Sequence, residues 1–150
     1  KRGEADATGA VFATAENTAK GAYTLVDAAN GKPELILIAT GSELQLAVTA
    51  REQLEAAGVA TRVVSAPCVE WFDEQSDSYR ESVLPASVGA RVSVEAGLAL
   101  GWNKYVGPFG RSVSIEHFGA SADYKTLFRE FGMTVEHVVS AAHDSIKASK

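Results

Sequence analysis

Three short segments place small residues, two of the three with a carboxylate, where an apolar, strand-like run gives way to a helix-like one. They are Thr40-Gly41-Ser42-Glu43, Glu95-Ala96-Gly97 and Phe118-Gly119-Ala120-Ser121. A turn of this kind leaves backbone N–H groups bare at a helix start, and such groups can hold an anion. Gly41, Ser42, Gly97, Gly119 and Ser121 are therefore the residues that would line a small-anion site. Two features make such a site weak. Glu43 and Glu95 repel an anion, and none of the three segments contains Lys or Arg. Tight turns alone also account for the small residues, since a fold by itself implies no site.

Other chemistries fall short of their residue requirements. Neither the dinucleotide fingerprint G-x-G-x-x-G nor the P-loop G-x-x-x-x-G-K occurs. Gly119-Ala120-Ser121-Ala122-Asp123 approaches the nucleophile elbow G-x-S-x-G but ends in Asp. Ser121 reads better as a helix cap, with Asp123 in the first turn. The histidines are His117, His137 and His143. The last two are six apart and do not share a helix face, and Glu116-His117 is a lone pair after a strand. A metal needs three or four converging ligands, and no such set is visible. Glu70, Asp73, Glu74 and Asp77 read as a solvated loop and helix start, with Trp71 and Phe72 as a local packing anchor. No residue is assigned a catalytic, cofactor-binding or metal-ligating role.

These turns need elements to position them. Tyr23 to Val26 is a short candidate strand, and Asn30-Gly31-Lys32-Pro33 a turn. Leu35 to Ala39 is wholly apolar, which marks a strand buried on both faces in the middle of a covered sheet. Whether the first two strands form a hairpin or lie apart is left open. Ser42 and Gln45 fit a capping box for a helix carrying Ala47, Ala50, Leu54 and Ala57, stopped at Gly58. Thr61 to Ser65 is a strand, 73–84 a helix ending near Pro85, and Arg91 to Glu95 a strand. A stretch around Leu98 to Tyr105 reads as helical, and Ser112 to Glu116 as the last strand. Tyr124, Leu127, Phe128 and Phe131 share a helical stripe that Gly132 stops. Thr134 caps the final helix, whose buried face is Val135, Val138, Val139, Ala142 and Ile146. Strands alternating with helices predict an α/β fold, a mostly parallel five-stranded sheet with helices on both faces.

The 150 residues suffice for one domain with a real core, and 1–21 reads as a linker or extension before a domain at 22–150. The opening on Lys1 rather than Met leads us to expect a piece of a longer polypeptide. A net charge of −5 argues against nucleic-acid and anionic-membrane partners, which need basic patches. No apolar run reaches membrane-spanning length, and no signal peptide is visible. The lone Cys68 rules out an intramolecular disulfide and fits a cytoplasmic origin.

The stretches ILIATGSELQLAV, GVATRVVSAP, YRESVLP, ARVSVEAG, the run Trp102 to Gly107 and HFGASADYKTLFREFG follow one another from about Gly21 to the end. In order and spacing they resemble the C-terminal domain of transketolases, most closely the bacterial branch. Ala66 and the stretch Leu98 to Gly101 are smaller than in many members. The resemblance implies a three-layer α/β/α domain with strand order 1-3-2-4-5, the first strand antiparallel. It also implies a homodimeric parent that moves a two-carbon ketol unit from a ketose phosphate to an aldose phosphate. That parent uses thiamine diphosphate and a divalent metal, magnesium or calcium. The family holds both in its N-terminal domain through a G-D-G motif, and its middle domain supplies the activating Glu. Since G-D-G is absent here, the resemblance implies no cofactor in this fragment and no catalysis by it alone. Its partners would be the other two domains of the parent chain. The alternative is a free-standing small-anion or nucleotide-binding module of flavodoxin-like shape.

Overall fold

A computed structural model describes residues 11–150, so the first ten residues of the expected linker lie outside the described residues. Five strands form one sheet: β1 (Tyr23–Val26), β2 (Leu35–Ala39), β3 (Thr61–Ser65), β4 (Ala90–Val94) and β5 (Arg111–Val113). Their order is β1-β3-β2-β4-β5. β2, β3, β4 and β5 run parallel, and β1 lies antiparallel against β3, with Tyr23 opposite Ser65. The open question about the first two strands is thus answered: β1 skips β2 and takes the edge.

The all-apolar β2 sits at the centre, every residue buried. Alternation along the strand sends Leu35, Leu37 and Ala39 to one face and Ile36 and Ile38 to the other. The first face is covered by α1 (Leu44–Ala56) and α6 (Val135–Ser149), through Ala47, Ala50, Leu54, Val138 and Ala142. The second is covered by α2 (Val69–Asp73), α3 (Asp77–Val83) and α4 (Asn103–Val106), through Phe72, Val83, Tyr105 and Val106. The result is the expected three-layer α/β/α arrangement. Crossover helices on both faces are what parallel strands require.

Local chemistry departs from the sequence reading at several places. No capping box forms: Gly41–Glu43 is a single 3-10 turn, and the Ser42 hydroxyl donates to its neighbour Glu43 at 2.7 Å. The predicted helix over 73–84 is two helices, because α2 starts early at Val69 and a break lets Ser76 cap α3. The last strand is shorter than expected and starts at Arg111. α5 (Tyr124–Glu130) is capped by Asp123, which accepts from the Lys125 and Thr126 N–H groups; Ser121 is exposed and outside the helix. A carboxylate with two oxygens outcompetes a hydroxyl two residues earlier for these donors. The α5 stripe is only partly covered, with Tyr124 64% exposed. Thr134 caps α6 as predicted, accepting from the His137 N–H.

Gly21 joins a preceding 3-10 turn, Ala15–Lys20, to β1. Its φ is +80, and a Cβ there would overlap the Cys68 carbonyl and the Phe72 nitrogen, with the Trp71 carbonyl carbon at 2.8 Å. Only glycine lets the chain pass this close to α2, where the Cys68 N–H donates to the Gly21 carbonyl at 3.0 Å.

Two buried arginines lock the far end of the sheet. Arg51 is 0% exposed and donates to the Thr61 carbonyl at 3.0 Å and the Asp27 carbonyl at 2.6 Å. Arg62 grips the Asp27 carboxylate with two nitrogens, at 2.8 and 2.9 Å, and also donates to the Ser82 and Val83 carbonyls. Planar guanidinium groups suit such multi-acceptor corners.

Candidate functional site

Parallel strands end on the same side of the sheet, and α/β proteins bind ligands beyond those carboxyl ends. The turns after β2, β4 and β5 all lie there, so the sequence-predicted residues reach the expected end of the molecule. They do not converge on one place. Gly97 and Gly119 line a common groove of about 590 Å³ with Ala96, Leu98, Ile115, Glu116, His117 and Phe118. Gly41, Ser42 and Ser121 are exposed and are not part of its wall.

The groove is held together by backbone and carboxylate contacts between two loops. The Ile115 N–H donates to the Gly97 carbonyl at 2.9 Å, and the Ala99 N–H to Glu116 Oε1 at 2.8 Å. The Ala99 N–H, followed by the Ser114 hydroxyl, holds the Glu116 carboxyl below its ordinary range. Beneath the loops, Glu95 Oε2 accepts the indole N–H of buried Trp102 at 2.7 Å. Glu43 is 7% exposed and takes the Ser42 hydroxyl. His117 packs edge-on against Phe131 at 4.5 Å, with Nδ1 2.8 Å from the Phe118 carbonyl.

Each acidic group here has a hydrogen-bond partner: a backbone N–H for Glu116, an indole for Glu95 and the Ser42 hydroxyl for Glu43. Glu95 and Glu116 hold their loops, and no Lys or Arg lines the groove. An anion entering it meets a carboxylate and an apolar wall. Among the described residues no cluster of three or more His, Cys, Asp and Glu could hold a metal ion.

The acidic group at α2 and α3 divides. Glu70, Glu74 and Asp77 are exposed as expected, but Asp73 takes the Lys104 ammonium at 2.6 Å and the Tyr105 hydroxyl at 2.9 Å. Burial, with that bond to a carboxylate, pushes the Tyr105 phenol up to about 12. Phe72 is the buried anchor, and Trp71 is 54% exposed. These contacts tie α2 to α4 and engage Asp73 in packing.

Sequence reading passed over Arg51 and the Glu95–Trp102 pair. Arg51 carried a signal: it falls between Ala47 and Leu54 on the apolar stripe of α1, where a charge must find buried partners. It also passed over the apolar rim of the groove, where Leu98 and Phe118 are 60% and 97% exposed, and Leu100 on the 3-10 turn that follows, 80% exposed.

A family model described as the transketolase-like TK C-terminal domain matches residues 21–134. The transketolase of Mycobacterium leprae is 58% identical over 130 residues, which is 85% of this chain and 19% of that protein. The chloroplastic transketolase of Zea mays is 52% identical over 128 residues, again 85% of this chain and 19% of the relative. Among solved structures, transketolase from Leishmania mexicana superposes with a TM-score of 0.82 at 43% identity, covering 90% of this chain and 19% of that one. This chain therefore spans about a fifth of the length of the relatives it matches. With the match running through every strand from β1 to β5, the chain belongs to the transketolase-like TK C-terminal domain family.

Proposed function

We propose that this chain is the C-terminal domain of a transketolase and works as a structural, non-catalytic part of it. Residues 1–21 connect it to the preceding domain, and 22–150 fold as the domain. The parent transfers a two-carbon ketol unit from a ketose phosphate to an aldose phosphate, as a cytoplasmic homodimer. The observation that supports this reading best is the collinear match to whole transketolases, in which this fold makes up only 19% of the length.

Thiamine diphosphate and its divalent metal, magnesium or calcium, belong to the parent. Their chemistry does not fit the carboxyl-end groove. A diphosphate needs cations or a metal beside it, and the carboxyl-end groove offers Glu116 and no Lys or Arg. We therefore place the cofactor on other domains and derive no step through it.

The test has two arms. Calorimetric titration of the 150-residue chain with thiamine diphosphate and magnesium should give no saturable heat. A chimera in which this chain replaces the matching segment of the Mycobacterium leprae transketolase should transfer ketol units. Micromolar cofactor binding by the chain, or an assembled but inactive chimera, would refute the reading.

A further inference from the structure

We propose that the apolar rim of the carboxyl-end groove, Leu98 and Phe118, with Leu100 on the 3-10 turn that follows Leu98, is the face on which this domain packs against another domain of the same polypeptide. The inference rests on the function proposed above and assigns the surface that function uses. Leu98, Phe118 and Leu100 are 60%, 97% and 80% exposed. Leu98 and Phe118 share one groove, and large apolar groups left open together mark a contact surface, whereas single ones need no explanation. The other open aromatics are dispersed: Trp71 on α2, Phe109 before β5 and Tyr124 against Phe128 on α5.

The rim is also held in shape. The Ile115-to-Gly97 and Ala99-to-Glu116 hydrogen bonds clamp the loop after β4 to the loop after β5. Leu98 and Phe118 are thereby presented on one groove before any partner arrives, which lowers the ordering cost of binding. The occupant follows from length and charge. Relatives carry about four-fifths of their length outside this segment, so a covalently attached partner is at hand at high effective concentration. A second copy of this chain would bring another acidic rim and another net charge of −5 against Glu116. The face fits an apolar patch edged by Lys or Arg, which would pair with Glu116.

Hydrogen exchange on the isolated chain and on the Mycobacterium leprae chimera tests this. Amides of 98–100 and 116–119 should exchange at least about tenfold more slowly in the chimera. Leu98→Ser with Phe118→Ser should abolish that extra protection, while the isolated variant chain melts as the unsubstituted chain does, since both side chains are largely open to solvent. Ketol transfer by the unsubstituted chimera is read separately. An active chimera whose 98–100 and 116–119 amides exchange as in the isolated chain overturns the surface and leaves the function standing. Protection in an inactive chimera keeps the surface and overturns the function. A chimera that does not assemble overturns both.

Discussion

Replacing Gly21 with Ala tests whether the close passage between the entry to β1 and α2 holds the domain together. Two costs are separable. A positive φ costs an L-residue about 1–2 kcal/mol, offset by about 0.4–1 kcal/mol because alanine restricts the unfolded chain. Gly31 provides that net cost alone: its φ is +68 and a Cβ there meets nothing within 4 Å. Gly31→Ala should therefore destabilise by about 1 kcal/mol. At Gly21 the added methyl meets backbone atoms of Cys68, Trp71 and Phe72, which cannot swing aside as a side chain would. The first turn of α2 must move, the Cys68 N–H to Gly21 hydrogen bond is lost, and Phe72, 3% exposed, is dragged from its packing. One hydrogen bond at about 1 kcal/mol and overpacking at about 1–3 kcal/mol bring the total to about 3–5 kcal/mol. In a domain of this size that lowers the melting temperature by roughly 10–20 °C. Urea unfolding of both variants gives the difference directly. If Gly21→Ala falls within about 0.5 kcal/mol of Gly31→Ala, the overlap read from the structure is wrong.

Ile36→Ala and Ile38→Ala, at 0% and 1% exposure on the α2–α4 side of β2, should each cost about 2–4 kcal/mol in the same assay. Phosphate, sulfate and nucleotides followed by amide shifts should bind no better than about millimolar, and micromolar binding centred on Gly41 and Gly119 would favour a ligand-binding module instead. Burial would raise the Asp27 carboxyl, but the Arg62 hydrogen bond, the Ala28 N–H and the charges of Arg62 and Arg51 outweigh it and hold it below its ordinary value. Its contribution to stability is therefore complete above about pH 4 and is lost as pH falls through the lowered value, so Asp27→Asn should flatten the acid limb of a stability–pH curve.

Much of this fold was legible because burial writes itself into composition. A strand buried on both faces must be apolar throughout, and Leu35 to Ala39 is. Thr134 was legible as a cap because the first N–H groups of α6 have few alternative acceptors. The pairing of β1 with β3 was not legible from the residues alone, since Tyr23 to Val26 could satisfy its backbone against either neighbour. The Ser42 and Ser121 caps failed for different reasons: Ser42 lies in a 3-10 turn and turns its hydroxyl to Glu43, whereas Asp123 takes the N–H groups that Ser121 would have needed. Arg51 and Ser145 show the limit of periodicity. Both are 0% exposed, and their polar atoms are satisfied by carbonyls brought from distant strands and loops. The five residues of the suspected anion site were chosen by turn chemistry, which puts them at one end of the sheet but cannot say which share a wall.

The strand order has a consequence for synthesis. β1 leaves the ribosome before the other four strands, yet among them it pairs with β3, with Tyr23 waiting for Ser65. β2 likewise pairs only with β3 and β4, both of which follow it. At about 5–20 residues per second, the amino-terminal strand spends roughly 2–8 s without a mate while the intervening helix α1 is made. From its synthesis until Thr61 appears, the chain carries the all-apolar Leu35 to Ala39 as an unpaired ribbon. Nascent-chain quality therefore hinges on α1 shielding one side of that ribbon before Thr61 appears, so a slow codon cluster between Leu44 and Ala60 would be felt more than one after Ser65.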